Sequence, residues 1–277
     1  MNPELDINDL DNQAHELWRL GEQLCGDCGS YHRLRGVLLK MGGLHGGRFD
    51  TATLGPFIQR LTFPGARILI AGSADAGLLR TVLDCTAARP LAITIVDLCP
   101  TPLALIDSLQ PLPGVSISTR VADLTQPLGM GGFDLIFSHS MLPFVPPELR
   151  GLVLASLRSA LAPGGRLVVS ASVGPGMTAD NRLAARQAWL DKVLKAVDDL
   201  PEMIALLGDA KQAMLRDYAT RFRYMDGTFG AADQIAALLE ANGLEIEDQG
   251  FGPDKPAVDA ATQSRRSAIF VAHARTL

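Results

Sequence analysis

Three groups of residues in this 277-residue sequence have types and spacings suited to chemistry. The first is Cys25-Gly26-Asp27-Cys28-Gly29-Ser30-Tyr31-His32, a C-x-x-C with a histidine four residues on. It reads as part of a zinc or iron site, for which Cys99 is a further ligand if folding delivers it. The competing readings are a redox dithiol and, the expectation carried forward, small buried packing residues with no metal, since a second C-x-x-C is absent. The second group is the turn Ala71-Gly72-Ser73-Ala74-Asp75-Ala76-Gly77. Small residues there let a ligand approach the backbone, and a following helix offers unpaired N–H groups and a positive dipole end. Asp97 lies about 20 residues beyond the turn, where an acid accepts hydrogen bonds from two ribose hydroxyls, and Asp123 stands where a carboxylate or its backbone meets an adenine amino group. The third is His139, whose imidazole, with a pKa of about 6.5, accepts a proton near neutrality.

These residues need elements to position them. Arg67 to Ala71 is a short apolar run bounded by glycine, as in a strand buried on both faces, and Leu78 to Ala88 follows as a helix. Leu91 to Asp97 is a second strand ending in an acid, then come a helix over Pro102 to Leu109, a strand over Val115 to Val121, and a strand over Phe133 to Ser138. Glu148 to Leu161 is a helix stopped by Ala162-Pro163-Gly164-Gly165, and Arg166 to Ser170 is the fifth strand. This alternation predicts a doubly wound α/β fold, mostly parallel, with right-handed crossovers. Leu244 to Phe251 and Ser267 to His273 close it as an antiparallel hairpin after a helix over Ala231 to Ala241.

The stretch from Arg67 to Val173 resembles the core of the class I S-adenosylmethionine-dependent methyltransferases. The resemblance rests on the turn Ala71 to Gly77, Asp97, Asp123, Phe133-Asp134-Leu135-Ile136-Phe137-Ser138-His139 and, most specifically, LRSALAPGGRLVV over Leu157 to Val169. It implies a Rossmann-like fold that binds S-adenosylmethionine and releases S-adenosylhomocysteine. Ala71, Gly72, Ser73, Ala74, Gly77, Asp97, Leu98, Asp123, Leu124 and Ser138 would hold the cofactor. His139 is the candidate base, and Tyr31, His32 and Arg35 would contact the substrate or the methionine carboxylate. The turn departs from the family pattern, with Ala71 near a usual acid, Ala74 at a usual glycine, and Asp75 added. Two alternatives follow: a methyltransferase-like binding protein or regulator without turnover, and a nicotinamide-dependent oxidoreductase on the same fold.

Around this core the expected organisation is a single domain, with a helical cap over residues 1–61, a core over 66–173 and 230–277, and a helical lid insert over 174–229. The insert carries Arg182, Arg186, Arg216, Arg221 and Arg223, a solvated face or a seat for an anionic substrate group. A net charge of −5 argues against nucleic acid. No apolar run reaches the roughly 18 residues of a membrane span. The N-terminal segment is acidic and polar, unlike a secretion signal, and the four cysteines suit a reducing compartment. The expectation is a soluble cytoplasmic enzyme acting on a small molecule, with no nucleic-acid or membrane partner and with homodimerisation left open.

Overall fold

The computed structural model describes residues 5–41, 48–174, 178–199, 201–222, 228–255 and 265–275. Gly42 and Gly43 of the expected helical cap, most of the loop of the C-terminal hairpin and Arg223 lie outside the described residues. Helix α1 (Leu10–Leu24) begins where the Asp9 carboxylate accepts the Asn12 N–H at 3.0 Å, satisfying one of the donors a helix start leaves unpaired. Helix α2 (Tyr31–Lys40) packs against it, with Gly36 turned to Ala14. A Cβ at Gly36 would lie 2.6 Å from the Ala14 Cα, so only glycine allows the two backbones this close. Helix α3 (Arg48–Leu61) leads into the sheet.

The sheet elements then alternate as expected: β1 (Arg67–Ala71), α4 (Gly77–Cys85), β2 (Leu91–Asp97), α5 (Pro100–Asp107), β3 (Val115–Val121), β4 (Phe133–His139), α6 (Arg150–Ala160) and β5 (Leu161–Val173). After an inserted group of helices, α7 (Ala179–Asp198), α8 (Pro201–Leu207) and α9 (Lys211–Phe222), the chain returns through α10 (Ala232–Ala241), β6 (Leu244–Lys255) and β7 (Arg265–Ala274). The expected helical insert thus holds three α-helices among the described residues. Strand β5 starts earlier than Arg166, because Leu161 already pairs with Phe133 before a register shift absorbs the proline and glycines.

The seven strands run in the order β3-β2-β1-β4-β5-β7-β6, parallel except that β7 is antiparallel to both of its neighbours. The strand order reverses between β1 and β4, with β2 and β3 added on one side and β5 on the other, so the carboxyl ends of these two strands open the crevice where ligands of doubly wound sheets bind. The alternation of side chains makes two cores. Ile68 and Ile70 of β1 face a layer built with α3, α4 and α5, whereas Leu69 and Ala71 face one built with α6 and α10. This is a Rossmann-like α/β fold. No helix among the described residues is long and apolar enough to cross a membrane.

Cap and insert share a third core. Trp18, Leu34, Val37 and Leu38 of α1 and α2 pack with Trp189, Val193, Leu215 and Tyr218 of α7 and α9. This layer is tied to the sheet by a buried ion pair, in which Arg35 Nε donates to Asp75 Oδ2 at 2.8 Å. Burial alone would raise the Asp75 carboxyl, but the Arg35 charge and hydrogen bond, with the Gly77 N–H, hold it below the usual carboxylate range. A carboxyl depressed on folding stabilises the protein above its unfolded pKa of about 3.9, and that contribution is lost as pH falls through the lower folded value. Asp75→Asn should therefore reduce unfolding free energy by about 3 kcal/mol at pH 7, as expected when one partner of a buried pair is removed. In denaturant titrations the gap from the parent protein should shrink below pH 4 or so; a gap that does not change with pH would show that the pair contributes nothing by its charge.

Candidate cofactor and acceptor site

The site is built at the carboxyl ends of β1, β2 and β4. Residue 72 has φ +81°, a conformation open to glycine, and a Cβ there would meet Met141 Cγ at 2.7 Å. The Gly72 N–H donates to the Val96 carbonyl at 2.8 Å, which brings the turn directly against the tip of β2. There Asp97 is held on both oxygens: Oδ2 accepts the Ser73 N–H at 2.8 Å and Oδ1 the Cys99 N–H at 2.7 Å. Burial raises the Asp97 carboxyl and these two backbone donors oppose the rise. Each oxygen retains a lone pair, the acceptor capacity that a pair of sugar hydroxyls requires. Beside it Leu98 is 70% exposed, an apolar side chain open to a flat ligand.

The other expected cofactor residues are placed as follows. Ala71 is buried at the end of β1, and Ala74 and Gly77 are half-buried in the turn. Ser73 is buried, its hydroxyl donating to the Asp75 carbonyl at 2.7 Å. Asp75, read from the sequence as an intrusion, organises the turn: its Oδ1 accepts the Gly77 N–H at 2.6 Å while its Oδ2 takes Arg35. Asp123 is exposed and accepts both the N–H and the hydroxyl of Thr125, at 2.8 and 2.7 Å, which hold its carboxyl below the usual range. The Ala122 N–H donates to the Asp97 carbonyl at 2.9 Å, so the tips of β2 and β3 adjoin. The Leu124 side chain packs into the α6 side core. Ser138 is buried, and its hydroxyl has no hydrogen-bond partner among the described residues.

His139 ends β4, with Nδ1 2.6 Å from the Ser170 hydroxyl. Ser140 follows at φ +55°, a left-handed conformation for a residue with a side chain, and its N–H donates to the Ser170 carbonyl at 2.7 Å. Ser170 was not singled out from sequence; it meets His139 through the parallel register of β4 and β5.

The cap residues divide. Arg35 points to Asp75. The Tyr31 ring stacks on Tyr218 at 5.8 Å and 5°, and meets Phe144 and Phe222 edge-on or tilted at 5.8 and 4.7 Å. Burial pushes the Tyr31 hydroxyl up; Asp75 and Asp97 add to this and Arg35 opposes it. The phenol therefore sits within the field of the cofactor turn. Three elements meet here, α2, α9 and the segment after β4, and sequence reasoning missed Phe144, Tyr218 and Phe222 because they share no motif. A groove of about 340 Å³ adjoins them, lined by residues 143–147 and by Arg150, Arg186 and Arg221.

His32, expected beside Tyr31 and Arg35 as a substrate contact, is buried and reaches the cysteines, with Nδ1 3.3 Å from Cys25 Sγ. Cys99 Sγ lies 3.9 Å from Cys25 Sγ and 3.5 Å from Cys28 Sγ. Burial would depress the imidazole, yet hydrogen bonds to Cys28 and Cys99 lift it to about 9. Hydrogen bonding from Cys25 holds the Cys99 thiol well below its ordinary range and pushes Cys25 above it, so the cluster favours negative charge on Cys99.

With this geometry in view, residues 72–169 match the family described as "Methyltransferase domain". Among curated proteins none matches the chain. Several solved structures share its fold. A Rhodobacter sphaeroides protein described as a putative Zn-dependent alcohol dehydrogenase is 18% identical, with 96% of this chain and 99% of that one covered and a TM-score of 0.54. A Haloferax volcanii putative methyltransferase, in complex with the Trm112 methyltransferase activator, is 12% identical over 90% of this chain and 99% of the other, with a TM-score of 0.54. The mitomycin 7-O-methyltransferase MmcR is 17% identical, covering 96% of this chain but 60% of its own length, with a TM-score of 0.51. The sequence match over residues 72–169 and the Rossmann-like fold together support S-adenosylmethionine-dependent methyltransferase activity for this chain.

Proposed function

We propose that this protein transfers the methyl group of S-adenosylmethionine to an oxygen, nitrogen or sulfur of a small molecule. The observation that carries this reading is Asp97, a partly exposed carboxylate fixed at the tip of β2 by the Ser73 and Cys99 N–H groups, against a turn that a Cβ at Gly72 would obstruct. Asp97 would bind the ribose hydroxyls, Leu98 would cover the adenine, and the Asp123 segment would meet its amino group. The sheet order also favours this cofactor over a nicotinamide dinucleotide, because an antiparallel β7 lies between β5 and β6 and the second parallel half of a dinucleotide fold is interrupted.

Bound S-adenosylmethionine supplies an electrophilic methyl on a sulfonium. Displacement at that methyl is in-line, so the protein's task is alignment and, where the nucleophile is protonated, removal of one proton. Phe144, backed by Tyr31, offers an aromatic wall for an acceptor, and the groove it lines lies near the lower end of the size range of small-molecule sites. Arg150, Arg186 and Arg221 line that groove and suit an acceptor with an anionic group. MmcR is named as a mitomycin 7-O-methyltransferase, and transfer to an oxygen is among the reactions proposed for this chain. For His139 to accept the proton on Nε2, Nδ1 must keep its own and donate it to the Ser170 hydroxyl 2.6 Å away.

Two measurements bear on this. Asp97→Ala should weaken S-adenosylhomocysteine binding about tenfold or more by calorimetry, the loss of charged hydrogen bonds of about 1.5–3 kcal/mol; unchanged affinity would remove Asp97 from the site. In an acceptor screen with a labelled methyl donor, His139→Ala should lower turnover about a hundredfold with cofactor affinity intact. An unaltered rate would retire the base.

A further inference from the structure

We propose that Cys25, Cys28, His32 and Cys99 form a structural zinc site that fastens the N-terminal helices to the sheet beside Asp97. Cys25 caps the end of α1, Cys28 lies in the turn that follows, and His32 is in the first turn of α2. Cys99 arrives from 74 residues beyond Cys25, as the N-cap of α5. The four donor atoms all lie within 4.8 Å of one another.

The spacing matches that of a coordination shell. Around zinc, S–Zn distances of about 2.3 Å and N–Zn distances of about 2.0–2.1 Å give tetrahedral edges of about 3.8 Å between sulfurs and about 3.5 Å between sulfur and nitrogen. The observed edges are 3.9 and 3.5 Å for the two sulfur pairs with Cys99, and 3.3 Å from Cys25 Sγ to His32 Nδ1. All of these cysteines are free thiols. Packing alone gives no reason for an imidazole nitrogen, buried from water, to turn into the midst of three sulfurs. The buried Thr101 hydroxyl lies 3.1 Å from Cys25 Sγ, where it could donate to that sulfur once a metal had displaced the thiol proton.

Three thiolates and one neutral imidazole fill the four positions, so the site is closed to substrate and its role is structural. On loading, Zn²⁺ displaces three protons from the cluster to solvent, leaving three thiolates and a neutral His32 that binds through Nδ1 with its proton on Nε2, and the loaded cluster carries a net charge of about −1. No oxidant or reductant is involved. The metal would join the α1–α2 turn to Cys99, whose own N–H holds Asp97 Oδ1.

The test is metal analysis of the full chain purified without chelator. About one zinc per chain is expected, and Cys99→Ser and Cys25→Ser should fall to a small fraction of that. Cys85→Ser, which alters the buried thiol outside the cluster, should retain the full content. Should the serine variants fail to fold, the parent protein still decides the matter. Cobalt exchanged into it should give the intense visible bands of a tetrahedral thiolate site, and a mercurial titrating three thiols should release one zinc. Substoichiometric zinc, iron in its place, or an intact mass two hydrogens short from a disulfide among these cysteines would each overturn the proposal.

Discussion

The site depends on how one carboxylate is held. Asp97 ends a strand buried along the face of Leu91, Ile93 and Ile95, and its two oxygens are pinned by N–H groups from different loops, Ser73 after β1 and Cys99 after β2. A carboxylate left to rotate would have to be ordered by the ligand it binds, at the expense of affinity. Here the backbone has done that ordering. Gly72, pressed against Met141, and Asp75, bridging Gly77 and Arg35, fix the loop on one side. The cysteine cluster stands on the other.

The cap is consequently part of the site. Tyr31, Arg35 and His32 are neighbours on α2, yet they reach three different things: the aromatic group from α9 and the β4 segment, the Asp75 carboxylate, and the thiols. Because α1 and α2 share a core with α7 and α9, any movement that admits a ligand involves cap and insert together.

Much of the sheet was legible because its signals are local. The bounds of β2, a short mostly apolar run, and of the edge strand β3 coincide with Leu91 to Asp97 and Val115 to Val121 as read from sequence. The closing strands were placed too, although they extend further than their apolar stretches, since pairing between β6 and β7 continues past Phe251 through a register shift. What stayed hidden depends on register and on long-range packing. Ser170 meets His139 because two parallel strands align at that step. Asp75 looked like a defect in a glycine turn because its partner, Arg35, lies 40 residues earlier on another element. Phe144, Tyr218 and Phe222 converge from separate segments, and no spacing within any one of them announces it.

A crystal structure of the protein with S-adenosylhomocysteine would test the central claim most directly. The account predicts both ribose hydroxyls on Asp97, with the homocysteine chain running over Gly72 toward the end of β4. A nucleoside seated elsewhere, with Asp97 still occupied only by the Ser73 and Cys99 N–H groups, would contradict it.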